Sequence, residues 1–334
     1  MMILFYTGSY PPDKCGVGDY LYNLNKSLTQ MTSTVIIKSG LWDYVRNILL
    51  SKDKIQLINI QYPTVGYSKN KFTAFTPHLA FLFAFLLNLN ISLTLHEYSS
   101  LSRRARIFLK IFKLCKTIIV TNIYEYEVLA TDGFKPSRIK IIPIASNIPM
   151  ARKSKNKIFD VVYFGIISKG KGIEHFFDAV TNLKMVHPEA NILLLGFKPG
   201  IDLKYEENVL QKANLLNIKL ILNKDENEVA ELLASSRIAL LPFPDGISER
   251  RGTALAAMQN DALIISYKGK FSSSFKDKCI LCNTLDELKT SLINNYLRPN
   301  DSLQLLKAAS IYAESFRWEQ IAQQYKELSD ENCH

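Results

Sequence analysis

The chain has 334 residues, too many for one ordinary domain and about right for two of roughly 150–180 residues each. Its 47% hydrophobic and 22% charged content is that of a folded globular protein and excludes extended disorder. The formal charge of +10 is uneven, because residues 1–150 hold 17 Lys+Arg against 8 Asp+Glu while residues 151–334 hold 24 against 23.

Met1 leads straight into Ile3-Leu4-Phe5-Tyr6 without a basic n-region, so no signal peptide and a cytoplasmic location are expected. From there short β-branched runs alternate with helix-length amphipathic segments. Strands are expected at 3–7, 34–38, 55–60, 91–95, 117–120 and 139–142. A polar, basic stretch over 148–157 reads as a linker, and a second series follows at 161–164, 192–195, 218–221, 238–241, 263–266 and 279–281. This is the parallel-sheet signature. It predicts an α/β chain of two Rossmann-like domains, 1–147 and 158–314, facing each other across a cleft, with ligands beyond the carboxyl ends of the strands.

After the first strand, Cys15-Gly16-Val17-Gly18-Asp19-Tyr20 opens a helix. Gly16 and Gly18 let backbone come close to a bound group, and a helix N-terminus offers free N–H donors to an anion. A plain strand-to-helix turn accounts for the two glycines equally well. The third glycine of a dinucleotide fingerprint is missing, so no dinucleotide cofactor is expected. The apolar run from Leu79 is split by Asn88 and Asn90 and reaches about half of the roughly 20 residues of a membrane span. A buried helix leading into a buried strand is expected there. Residues 103–116 place Arg103, Arg104, Arg106, Lys110, Lys113 and Lys116 among apolar positions at helical spacing and read as one helix. It is either a solvated face or a surface drawn to anionic lipid, where each basic residue adds on the order of 1 kcal/mol. No nucleic-acid motif accompanies the charge, and no nucleic-acid partner is expected.

In the second half, Phe164-Gly165-Ile166-Ile167-Ser168-Lys169-Gly170-Lys171-Gly172 follows a strand and opens a helix. Two permissive glycines and two lysines suit a phosphate, although the spacing is not that of a Walker A loop. Further on, Ser248-Glu249-Arg250-Arg251-Gly252-Thr253 leads into the helix Ala254-Leu255-Ala256-Ala257-Met258. Arginine forks and free amides at a helix start suit a diphosphate; the plainer alternative is a helix whose arginines face water. Cys279 and Cys282 form a lone C-x-x-C and read as packed thiols, and without an Asp-x-Asp pair no metal is expected.

Six segments in this order resemble the retaining glycosyltransferases of the two-Rossmann GT-B architecture. They are 11–20, Leu93-Thr94-Leu95-His96-Glu97, Ile142-Pro143-Ile144-Ala145, 164–172, 245–258 and 316–322. The resemblance is strongest to the family 4 group (glycosyltransferase group 1) that assembles bacterial surface polysaccharides such as capsule, O-antigen and exopolysaccharide. It implies metal-independent transfer of a sugar from a nucleoside-diphosphate sugar to an acceptor hydroxyl. The implied acceptor is a lipid-linked oligosaccharide at the inner face of the membrane.

In that resemblance Lys171 binds the donor diphosphate, Gly16 and Gly18 approach the donor, and His96 lies against the donor sugar. Lys169, Arg250, Arg251, Gly252 and Thr253 complete the donor set, with His96, Lys171 and Arg251 nearest the chemistry. Asp19, Glu97 and Asp245 are sugar-side or acceptor-side candidates and read equally well as structural. Residues 315–334 are expected to form a helix returning to the first domain, with Trp318 as packing. The chain also departs from the pattern. Relatives carry two glutamates where Ser248 and Ala256 stand here, and an arginine where Ile166-Ile167 stand. Arg250 and Arg251 are then read as taking over part of the anion binding, and the nucleotide stays open. The alternatives are a non-catalytic relative that binds nucleotide sugar or membrane, and a sugar-nucleotide epimerase, against which the five histidines count.

Overall fold

The computed structural model describes residues 1–13, 15–151 and 156–331. Lys14, residues 152–155 of the expected linker, and Cys333 with the end of the expected returning helix lie outside the described residues. The first elements are β1 (Met2–Thr7), α1 (Gly16–Leu28), β2 (Ser33–Lys38), α2 (Leu41–Ser51), β3 (Ile55–Tyr62) and α3 (Lys71–Leu86). Then come β4 (Ile91–Leu95), α4 (Arg103–Leu109), β5 (Thr117–Val120), α5 (Ile123–Thr131) and β6 (Ile139–Ile141). The second series is β7 (Phe159–Ile166), α6 (Ile173–Val186), β8 (Ile192–Phe197), α7 (Leu203–Leu215), β9 (Lys219–Leu222), α8 (Glu226–Ala234) and β10 (Ser236–Leu241). It ends with α9 (Gly252–Gln259), β11 (Leu263–Tyr267), β12 (Ile280–Cys282), α10 (Leu285–Leu297), α11 (Leu303–Glu314) and α12 (Trp318–Asp330).

The chain divides into two compact units, Met1–Ile144 with Arg317–His334, and Ala145–Phe316. The first holds a parallel sheet of order β2-β1-β3-β4-β5-β6 and the second one of order β12-β11-β10-β7-β8-β9. Every residue of β1, β4 and β5 is buried, because helices cover both sheet faces; continuous apolar runs therefore replace alternation. In each sheet the strand order reverses beside the first strand of its series, between β1 and β3 and between β7 and β10. Such switch points open a crevice at the carboxyl ends of the strands.

Within the first unit α12 lies on α1, with the Tyr20 hydroxyl donating to that of Tyr325 at 3.2 Å. Trp318 packs edge-on against Tyr20, at 5.3 Å between ring centres. Two expectations need correction here. The helix expected to be buried is α3, and only one side of it is: Ala80, Phe81 and Ala84 join the core, while Phe75, Leu79, Leu82 and Leu86 are exposed. Apolar content announces a helix but not what covers its outer face. Its start is set by a reciprocal capping box between Asn70 and Thr73. Pro77 cannot bond the Thr73 carbonyl, and the Thr76 hydroxyl does so at 2.9 Å.

The second correction concerns 103–116, which is not one helix. α4 stops at Leu109 and a tighter 3-10 segment, Lys110–Leu114, follows. Arg138, from the turn between α5 and β6, holds the carbonyls of Lys113 and Cys115, at 3.0 and 3.4 Å, and so fixes the entry into β5. Two of its cations are structural. Arg106 donates to the carbonyl of Ser99 at 2.6 Å and pairs with Asp132 at 3.3 Å, and Lys113 donates to the Asp132 carbonyl at 3.1 Å.

In the second unit α9 is buried from Ala254 to Gln259 against Ala309 and Ala313 of α11. Its far end anchors chain. Asn260 accepts from the Ala151 amide at 2.8 Å and donates to the Pro149 carbonyl at 3.1 Å, while Gln259 donates to the Phe316 carbonyl at 3.2 Å. Cys279 and Cys282 are free and buried, and burial pushes the Cys279 thiol up to about 12. Among the described residues no helix is long and apolar enough to cross a membrane.

Candidate functional site

The richest cluster lies at the switch point of the second unit, where the loops after β7 and β10 flank neighbouring strands. Gly172 joins them: its φ is +80°, and a Cβ there would sit 1.9 Å from the Pro242 carbonyl oxygen, so only glycine lets the two loops meet. Tyr163, near the end of β7, strengthens the junction. Its hydroxyl donates to the Lys171 carbonyl at 3.2 Å. Burial pushes its phenol up, with the nearby Arg251 charge pulling the other way, so the hydroxyl stays a donor.

Lys171 is half-buried, and among the described residues its ammonium has no partner. Arg251 is held from two sides. Its guanidinium lies 4.8 Å from the centre of the Phe243 ring and pairs with the exposed carboxylate of Asp245. Arg250 is exposed at the start of the same turn. The backbone then enters α9 with no side chain capping it. The first free amides of the helix are those of Gly252 and Thr253, because the Arg251 amide bonds the Ser248 carbonyl and the Ala254 amide bonds back to Arg251.

Gly252 is informative. It is exposed, its φ is not positive, and a Cβ would meet nothing within 4 Å. Neither packing nor backbone conformation asks for glycine there. The same holds for Gly16, the first residue of α1. Gly18, by contrast, is packing: a Cβ there would lie 3.2 Å from the Ser9 carbonyl oxygen.

At the switch point of the first unit, Gly8 and Gly66 bring the loops after β1 and β3 together, since a Cβ on Gly66 would overlap the Gly8 carbonyl. The Gly66 amide donates to Ser9 Oγ at 2.8 Å. The start of α1 favours negative charge. Burial raises the Cys15 thiol, but the amides of Val65, Gly18 and Val17 aimed at its sulfur together outweigh that and lower it. Asp19 is exposed in this first turn.

His96 is buried inside the first unit. Its Nε2 lies 2.7 Å from Gln61 Oε1, the Tyr20 ring stands 4.8 Å away, and burial lowers its pKa to about 3. The imidazole is neutral and sits at the head of a buried polar chain. Gln61 donates to Asn59 at 2.6 Å, Asn59 to Thr94 at 3.0 Å, and Thr94 meets the Tyr325 hydroxyl at 2.8 Å. Glu97 follows His96 and is exposed.

The expected donor set is therefore partly gathered. Lys171, Arg251, Gly252 and Thr253 share one switch point. Lys169 does not join them as a free cation: it pairs with Asp202 at 2.8 Å and lies over the Tyr205 ring. Glu249, the glutamate nearest the family position, is held by the Tyr312 hydroxyl at 2.5 Å. Sequence reasoning passed over Tyr163 and Phe243, whose places in the site depend on the loops meeting. Among the described residues no three His, Cys, Asp or Glu side chains gather as a metal site.

Neither a protein-family description nor a curated relative matches the sequence. Solved structures do. The chain is similar to HepE (Alr3699) of Anabaena, solved in complex with UDP, at 16% identity and TM-score 0.70, over 99% of this chain and 100% of that one. A glycosyltransferase from Rickettsia africae matches at 12% identity and TM-score 0.70, over 99% and 98%. The chain has the GT-B fold. At these identities the likeness is one of fold. The same fold extends to the N-terminal domain of a Candida albicans trehalose-6-phosphate phosphatase, at 13% identity and TM-score 0.62 over 100% and 97%. The reaction has to be argued from this chain's residues.

Proposed function

We propose that the protein is a retaining glycosyltransferase of the family 4 type that moves a sugar from a nucleoside-diphosphate sugar to an acceptor hydroxyl. The observation that carries the reading is the switch point of the second unit. There the Lys171 ammonium, without a partner among the described residues, the Arg251 guanidinium and the uncapped amides of Gly252 and Thr253 are held by loops that only Gly172 allows to meet. A departing nucleoside diphosphate builds negative charge on its β-phosphate. Fixed cations and helix amides stabilise that charge most when it develops, so they lower the barrier and do more than bind the donor. Asp245 keeps the Arg251 fork in place, and Arg251 still has donors to spare.

These groups can do the work that a divalent ion does in other transferases, so metal-independent transfer is part of the proposal. HepE was solved with UDP and glucose, and a fold-sharing pneumococcal O-GlcNAc transferase, GtfA, with UDP and GlcNAc, which agrees with a nucleotide-sugar donor. The acceptor proposed is a lipid-linked oligosaccharide of a surface polysaccharide, met by a protein held peripherally at the cytoplasmic face of the membrane by its basic first half.

A thermal-shift panel of UDP-, GDP- and CMP-sugars tests the donor reading, because a ligand of the native state raises apparent stability with concentration. One sugar nucleotide should stabilise the protein, and Lys171→Ala and Arg251→Ala should each lower transfer by about a hundredfold or more. Full activity in both variants would discard the diphosphate site.

A further inference from the structure

The outer face of α3 is the least ordinary surface of the first unit. Phe75, Leu79, Leu82 and Leu86, at four-three-four spacing, form an exposed stripe, with Phe72 beside it and 66% exposed. A surface helix normally turns charge to water on this side, yet the sequence has no Lys, Arg, Asp or Glu from Phe72 to His96. The stripe continues onto α4, where the Phe75 and Phe108 rings meet edge to face at 5.8 Å and Ile107 is exposed. Contiguous exposed apolar surface of this kind marks an interaction site.

Charge identifies the occupant. Arg103, Arg104 and Lys110 are exposed on the α4 side of the stripe, and among the described residues none of them meets a carboxylate. Between Asp53 and Glu125 the sequence has a single acidic residue, Glu97. A second copy docked on this face about a twofold axis would bring these cations against their own images. An anionic bilayer offers both what the stripe lacks and what the cations lack. At 16 residues α3 is about 24 Å long, too short to span, so it lies in the plane of the surface.

We propose that the outer face of α3, with Phe108 and Ile107 of α4, inserts into the headgroup region of an anionic membrane, and that Arg103, Arg104 and Lys110 hold it there. The proposal takes its bilayer from the membrane-acceptor reading above but changes the physics of the contact. Attachment rests on apolar insertion, which survives high salt, together with charge, which does not.

The experiment is vesicle flotation of the full chain with phosphatidylcholine vesicles containing phosphatidylglycerol, and with pure phosphatidylcholine, at low and high salt. The protein should float with the anionic vesicles and keep a residual bound fraction at high salt. Phe75→Ser with Leu82→Ser should lose that residue at least tenfold. Arg103→Ala with Arg104→Ala should weaken low-salt binding by about fivefold per residue, the equivalent of about 1 kcal/mol each, and leave the high-salt fraction. The sugar-nucleotide thermal shift serves as the fold control for both variants and separates this proposal from the donor reading. No flotation with an intact thermal shift would overturn the membrane seat alone. So would a Phe75/Leu82 variant that floats like the wild type, or lipid-free dimerisation that this variant abolishes.

Discussion

Replacing Gly252 by alanine separates a ligand-approach role from a structural one, because the two predict opposite signs. The residue is exposed at the first position of α9, its φ is not positive, and the added methyl meets nothing within 4 Å. Alanine there costs the folded state nothing by packing and removes backbone freedom from the unfolded chain, for a gain of about 0.4–1 kcal/mol. In a unit of this size that raises Tm by about 1–4 °C. On the proposed reading, the same methyl stands where a diphosphate oxygen would reach the amides of residues 252 and 253. Losing one charge-assisted hydrogen bond costs about 1.5–3 kcal/mol, or roughly ten- to more than a hundredfold in affinity. Differential scanning fluorimetry with and without the best sugar nucleotide reads both quantities on one sample. The expected result is a free protein that melts higher and a ligand-induced shift that collapses. A variant that keeps the full ligand shift would refute the claim that the start of α9 is approached, and one that melts lower when free would refute the packing argument.

Three further substitutions have defined outcomes. Lys171→Ala should lower kcat/KM by about a hundred- to a thousandfold with little change in Tm, since the ammonium supports no contact of its own among the described residues; steady-state kinetics beside a melt would show it. His96 is held neutral with its pKa lowered to about 3, against an unfolded value near 6.5, so its contribution is complete above about pH 6.5 and is lost as pH falls toward 3. By pH 5 that is about 2 kcal/mol, and urea unfolding at pH 7 and pH 5 should differ by that much more in wild type than in His96→Gln. Asn260→Ala frees the Ala151 amide and the Pro149 carbonyl and should cost about 1–3 kcal/mol in chemical denaturation.

The inner strands were legible because they are short, mostly apolar runs buried on both faces, as in β1, β4 and β5, and the carboxyl-end loops could be placed from the strands alone. What escaped was set by contacts distant in sequence. Lys169 looked like a phosphate ligand beside Lys171, yet Asp202, which caps α7, takes its charge. The chain through His96 had a signal that went unread. Asn59 and Gln61 are polar positions within β3 between apolar neighbours, and polar groups in a strand buried on both faces must find partners inside. Periodicity found α3 but could not show its bare side, since hydropathy does not distinguish a face against protein from one against lipid or water. The end of α4 was equally hidden, because the arginine that fixes the turn, Arg138, lies beyond the next strand.

The anchoring at the far end of α9 matters to anyone who would recombine this chain with another of its fold. A donor half cut at residue 158 and ending at 314 would keep the whole site yet leave behind Pro149, Ala151 and Phe316, the groups that Asn260 and Gln259 hold. The helix that starts the proposed diphosphate site would then end with Asn260 and Gln259 stripped of those partners. A graft spanning 145–316 carries those partners with it, and the natural seams for exchange lie at 144/145 and 316/317.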